Sequence, residues 1–271
     1  MIRTVRRTLR EAIPEPVRLR IALAHRGVRD RWSGVAESIV RAAVEPPAPF
    51  CAAAAVEIVA VNQPIRHTAH TDGKVHNLRL AASLLDGVAV PPARVFSFWA
   101  LVGPPAAERG FRLGRSIRGD VLQAEVGGGL CQISGLAYEL GLRAGMAVIE
   151  RHPHTKDLYN EETRFTPLGL DATVVWGHKD LRLRNTLPEP VVFAFAVGPE
   201  AITGRILAPR PFPPTSIAIE RRDCAASPER LVRVFRSLGP DEVRLISVDR
   251  YVAAVTEDNA GDRDGGHAQE S

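Results

Sequence analysis

The spacing of apolar residues changes several times along this chain, and each change marks an element. After Pro16, Val17, Ile21, Ala24 and Val28 recur at helical spacing, with Arg18, Arg26 and Arg29 on the remaining faces. This predicts an amphipathic helix with the proline in its first turn. Its apolar stripe either docks on a domain or lies on an anionic membrane surface. Glu45-Pro46-Pro47-Ala48-Pro49 is a stiff break. An apolar stretch over 51–61 follows, then a helix over 76–86 with Leu78, Ala81, Ala82 and Leu85 on one face and Gly87 as its stop.

Beyond Pro91-Pro92, the segment 95–99 reads as a short aromatic strand or turn, and 104–120 as an arginine-rich loop. From Cys131 the period is helical again: Ile133, Leu136, Ala137 and Leu140 share a face and Gly145 lies past the end. The segment 146–151 then reads as a strand that carries His152-Pro153-His154 at its end. Further strands are predicted at 172–176, 181–185, 191–197 and 202–207, with a hairpin pairing 231–237 and 243–248. A few helices beside many short antiparallel-type strands indicate an α+β fold. The expected organisation is a basic helical extension over 1–50, a main domain over 51–210, a β-hairpin extension over 211–255 and a disordered acidic tail over 256–271.

Composition narrows the classes. With 271 residues, 45% hydrophobic and 24% charged, the chain is ordinary globular protein, which excludes disordered, collagenous and coiled-coil classes. Cysteines at 51, 131 and 224 are too few and too scattered for a disulfide framework, and no CxxC pair offers a zinc ribbon, so at least one thiol stays unpaired. The net charge of +4 comes chiefly from residues 1–50, which hold ten Arg against five acids. No basic stripe is interleaved with aromatics, so nucleic acid is not an expected partner. Over residues 2–32 arginine interrupts every apolar run, and the longest apolar stretch of the chain, 51–61, is about half the ~20 residues of a membrane span. The expectation is a cytoplasmic protein with at most a peripheral membrane contact through its first helix.

The chemistry concentrates at Gly127-Gly128-Gly129-Leu130-Cys131-Gln132. Glycines allow close backbone approach, and the N-terminus of a helix lowers the pKa of a thiol placed there toward the nucleophilic thiolate. The same amides suit an oxyanion hole. A lone cysteine is also commonly a small buried hydrophobe, and Gly-rich turns also bind phosphate, although no Lys-Ser/Thr follows here to make a P-loop. A catalytic cysteine needs a base, for which His152 and His154 are placed, with Asp171 or Asp180 to orient it. A zinc site from Cys131, His152 and His154 has no established ligand spacing, so neither a metal nor another cofactor is expected.

Six motifs occur in order: Asn77-Leu78-x-Leu-Ala; Phe96-Ser97-Phe98-Trp99-x-x-Val102-Gly103; Gly127-Gly128-Gly129-x-Cys131-Gln132-x-Ser134; Ile149-Glu150-Arg151-His152-x-His154; Gly169-x-Asp171-Ala172-Thr173-Val174; and Asp180-Leu181-x-x-x-Asn185. Together, from about Ala55 to Leu207, they resemble the vancomycin-resistance VanW family. The resemblance implies an antiparallel β-rich domain with a cysteine-bearing helix and a link to peptidoglycan. Wall-anchored relatives are regarded as L,D-transpeptidases, so it implies that Cys131 is the nucleophile, His152 or His154 the base and Asp171 its support. Gln132 and the amides of Gly129 to Cys131 would hold the oxyanion, and Gly127, Gly128 and Ser134 complete the substrate-binding motif. The implied partner is a peptidoglycan precursor or stem peptide. The other reading is a non-catalytic binding module for wall precursors.

Overall fold

Helix α1 (Glu15–Trp32) docks on the rest of the protein through a face its hydrophobic pattern did not mark. Val17, Ile21 and Val28, the expected docking stripe, are exposed, the last two at 56% each. The docked face instead carries Leu19 and Leu23, which pack on Gly177, together with Arg26 and Asp30. Arg182 reaches both carboxylate oxygens of Asp30 at 2.7 Å, and Arg26 grips Glu150 at 2.8 and 2.9 Å. Two bidentate pairs, one of them buried, set the rotation of the helix against its own apolar stripe.

The computed structural model describes residues 13–41, 55–67, 71–118, 121–157, 164–223, 227–239 and 242–253. The proline break at 45–49, Cys51, His70, Cys224, His267 and the tail 256–271 lie outside the described residues.

The fold is α+β. Strands β1 (Val56–Pro64), β10 (Ala201–Ala208), β9 (Val191–Val197) and β2 (Val88–Val90) form one antiparallel sheet in that order. A second sheet runs β11 (Ile217–Asp223), β12 (Glu229–Ser237), β13 (Val243–Ala253) and β7 (Lys156–Asp157). A third joins β3 (Val95–Ser97), β8 (Arg182–Arg184) and β6 (Ala147–Glu150), and β4 (Leu113–Arg118) pairs with β5 (Val121–Val126) as a hairpin. Helix α2 (Thr71–Leu85) buries Leu78, Ala81, Ala82 and Leu85 as its periodicity predicts. The short α3 (Phe98–Val102) is capped by Ser97, whose hydroxyl accepts from the Ala100 amide and donates to Asp180.

Helix α4 (Leu130–Arg143) is the centre of the core. Ile133, Leu136, Leu140 and Leu142 are fully buried, each contributing about 1.5–3 kcal/mol. Phe96 stacks on Phe193 with ring centroids 4.6 Å apart and joins the third sheet to the first.

Two further expectations are corrected. The segment 104–120 is not all loop, because Leu113–Arg118 is strand β4, paired in register with β5. Its arginines disguise a hairpin in which Asn77 holds the backbone of Arg112 from both sides. Conversely, 172–176 forms no named strand; its one ladder contact is an isolated bridge between Val175 and Lys179. Its backbone is engaged by α4 instead, where the Ser134 hydroxyl donates to Ala172 O at 2.6 Å. The hairpin beyond residue 210 joins the main body, since β13 pairs in parallel with β7.

Candidate active site

The turn that carries the glycines is fixed by direct backbone contact. A Cβ on Gly128 would lie 2.1 Å from Gly114 O, and one on Gly114 would lie 2.5 Å from Gly128 O, so only glycine fits either position. The buried Asn77 side chain donates to Arg112 O at 2.9 Å and Gly128 O at 3.0 Å and accepts from Arg112 N at 2.8 Å. One amide therefore clamps α2, β4 and the turn together. Gly129 then caps α4 in the left-handed region at φ 100°, where a side chain would be strained.

Cys131 follows in the first turn of α4, half-buried. It interacts electrostatically with the side chain of His154, and Sγ lies 3.9 Å from Val174 O. The His154 ring presents Nδ1 to Asp171 Oδ2 at 2.6 Å, and its backbone N–H donates to the same oxygen at 2.7 Å. With Nδ1 held there, Nε2 is the nitrogen left for the thiol. Thiol, imidazole and carboxylate thus stand in line.

Asp171 is held by more than the histidine. Arg151, buried beneath it, donates Nη2 to Oδ1 at 2.9 Å and Nε to the Asp171 carbonyl at 2.7 Å, and pairs with Asp249 on β13. The Tyr251 hydroxyl donates to Oδ1 and accepts the Gly169 amide.

These contacts decide the charges. Burial opposes ionisation of Asp171, but the bonds from His154 and the charge of Arg151 overcome it and hold the carboxyl far below its usual range. Burial likewise disfavours imidazolium at His154, yet Asp171 and Cys131 raise its pKa to about 10. For Cys131, burial pushes the thiol up, and the interaction with His154 and its charge bring it below its ordinary value against the repulsion of Asp171. The proton shared by the pair therefore favours the imidazole, leaving a thiolate.

The other expected site residues are placed differently. His152 is turned away, its Nε2 3.0 Å from Glu150. Glu150 also takes Arg26 and the Asp180 amide; burial alone would raise its pKa, but these bonds bring it down to about 2. Gln132 donates Nε2 to Pro64 O, and Ser134 spends its hydroxyl on Ala172 O and Cys131 O. The amides of Gly127 and Gly128 go to Arg112 O and Glu125 O, and that of Gln132 to Gly129 O. This leaves the N–H groups of Gly129, Leu130 and Cys131 as the donors of the helix N-terminus. Asp180 serves Ser97, the Trp99 amide and Arg182, not a histidine.

Cys131, His154 and Asp171 line a cleft of about 1190 Å³, with Trp99, Phe165, Trp176 and Tyr251 among its walls and Glu15, Arg18 and Leu19 of α1 at its rim. This exceeds the roughly 300–1,000 Å³ of small-molecule sites and suits an extended ligand. Arg151, Tyr251, Lys74 and Arg115 are site residues that sequence reasoning did not single out. Only Arg151 carried a signal, as part of the Ile149-Glu150-Arg151-His152 motif. Among the described residues, no group of three or more His, Cys, Asp or Glu converges to hold a metal ion, and no helix is long and apolar enough to cross a membrane.

Fold and site together describe an α+β protein with a thiol, imidazole and carboxylate aligned at the head of its central helix. Residues 73–207 match the VanW family, described as VanW like protein, and the chain belongs to that family. It is 34% identical over 117 residues to the uncharacterized protein YoaR of Bacillus subtilis, covering 43% of this chain and 37% of that one. It is 31% identical over 139 residues to the vancomycin B-type resistance protein VanW of Enterococcus faecalis, covering 51% of this chain and 50% of that one. The chain thus spans half or less of the length of these relatives. No solved structure matches it.

Proposed function

We propose that this protein is a cysteine-dependent acyl transferase, of L,D-transpeptidase type, acting on peptidoglycan stem peptides. The observation that carries this reading is the alignment of Cys131, His154 and Asp171 in an open cleft. The name of the enterococcal relative, a vancomycin resistance protein, supports a wall-peptide substrate.

In this mechanism the Cys131 thiolate adds to an amide carbonyl, and the developing oxyanion is received by the N–H groups of Gly129, Leu130 and Cys131. His154, protonated on both nitrogens, gives its Nε2 proton to the departing amine as the C–N bond breaks. A thioester remains on Cys131. An incoming amine, or water, then loses a proton to Nε2 as it adds to the thioester, and the thiolate is released. Asp171 keeps the ring oriented and stabilises its charged form throughout.

Incubation with a stem tetrapeptide should give wild-type protein carrying an acyl adduct, and Cys131→Ala should carry none. An unchanged adduct or unchanged turnover in Cys131→Ala would rule out the nucleophile.

A further inference from the structure

Two cations stand together in the cleft, and no carboxylate among the described residues that line it is paired with either. Lys74 lies in the first turn of α2 and Arg115 on β4, and both line the cleft that contains Cys131. They meet because α2 sits directly on β4: a Cβ on Gly73 would lie 1.8 Å from Leu113 O. The glycine turn holds them near the thiol. The Lys74 stem packs on Gly129, where a Cβ would come within 2.6 Å of Lys74 Cγ, and the backbone of Arg115 packs on Gly128.

Neither cation forms an ion pair with a described residue, and Arg115 Nε is buried with no hydrogen-bond partner among them. Among the described residues, Lys74 meets the face of the Phe165 ring, 5.9 Å away. Burial and the repulsion of Arg115 lower the Lys74 pKa to about 8, so it is still a cation at neutral pH. Two like charges facing each other, one with an unsatisfied donor, are a costly arrangement that an anion between them relieves.

We propose that Lys74 and Arg115 form a carboxylate subsite, and that the substrate is a peptide whose free C-terminal carboxylate sits there, beside the bond that Cys131 attacks. The subsite adjoins the nucleophile because Gly129, on which the Lys74 stem packs, is two residues from Cys131 at the head of α4. The inference rests on the acyl-transfer reading and specifies its substrate. The departing group then carries that carboxylate: its nitrogen takes the proton from His154 Nε2 as the C–N bond breaks, and its carboxylate remains between Lys74 and Arg115 until release.

The test is equilibrium binding to Cys131→Ala protein, which has no nucleophile. An acetylated stem tetrapeptide ending in a free carboxylate is compared with the same peptide ending in a carboxamide. The acid is expected to bind on the order of tenfold more tightly at low salt, and the advantage should shrink as salt is added. Lys74→Gln and Arg115→Gln, each added to Cys131→Ala, should remove most of the advantage, and Lys74→Arg should retain it. A peptide amidated only at a side-chain carboxylate should keep full affinity; if it alone loses affinity, the C-terminal assignment is overturned. Equal binding of acid and amide, or binding of neither, overturns the subsite. Acyl adducts formed equally from acid and amide by wild-type protein would leave the acyl-transfer reading standing and remove this one. A preference for the acid without any adduct would do the reverse.

Discussion

Tyr251 donates its hydroxyl hydrogen to Asp171 across eighty residues of sequence, so β13 contributes directly to the group that orients His154. Asp171 accepts four hydrogen bonds, from the His154 ring, the His154 amide, Arg151 and Tyr251. Its charge is the fixed point on which the thiol's ionisation depends.

Removing that charge relieves a direct repulsion on the thiolate but also lowers the His154 pKa; the loss of the imidazolium beside Cys131 is the larger effect, so the thiol pKa should rise. The wild-type Cys131 should react with iodoacetamide well below the ordinary thiol midpoint near ~8.5, and Asp171→Asn should move the midpoint up by about one pH unit or more. Tyr251→Phe should move it less, because Arg151 and His154 still hold the carboxylate. The measurement is the alkylation rate against pH, followed on the Cys131 peptide by mass spectrometry. An identical profile for Asp171→Asn would separate the carboxylate from the thiol.

Acid should destabilise the fold through the same network. Asp171 and Glu150 have folded pKa values below those of an unfolded chain, about 2 for Glu150. Below about pH 4.5 the unfolded state therefore takes up protons that the native state does not, and stability falls as pH drops toward 2. It is fully present above about pH 5. Denaturant melts at several pH values should show this slope, and Glu150→Gln should make it shallower by up to one proton.

Asn77→Ala should cost about 2–4 kcal/mol. Three hydrogen bonds are lost and the carbonyls of Arg112 and Gly128 lose their donor at a buried position. The glycine turn should loosen with it, so Cys131 alkylation should become more like that of a free thiol at the same time. Denaturant midpoints and alkylation rates report the two effects separately.

Asp30→Ala should cost about 3–5 kcal/mol by leaving Arg182 buried with one of its two hydrogen-bonded carboxylates removed. Removal of Glu57, half-exposed beside Arg205, should cost well under ~1 kcal/mol. Thermal melts of the two variants side by side test whether α1 is anchored by its buried pair.

Much of this architecture was legible in local periodicity. Helices α2 and α4 bury the faces that their repeats mark, and β9 and β10 lie where the apolar runs place them. Elements whose stability comes from elsewhere were not legible. Strand β11 has mostly exposed, charged positions and is defined by pairing with β12, while β4 depends on Asn77 and the glycine contact. At 172–176 an apolar pattern reads as strand, but helix α4 claims the backbone at Ala172. In the site, a short motif contains Cys131 and the strand exit contains His154. Arg151, Tyr251, Lys74 and Arg115 have meaning only once distant segments meet. The docking face of α1 was hidden for a related reason: hydrophobic periodicity does not weigh a buried ion pair.

The support of Asp171 by Tyr251 also bears on synthesis. A chain leaving the ribosome completes the Gly-rich turn and α4 long before β13 is made. Until then Asp171 lacks the bond from Tyr251, and its arginine partner lacks Asp249. The network of hydrogen bonds that holds Asp171 against His154 is thus complete only once the last strand of the second sheet has docked.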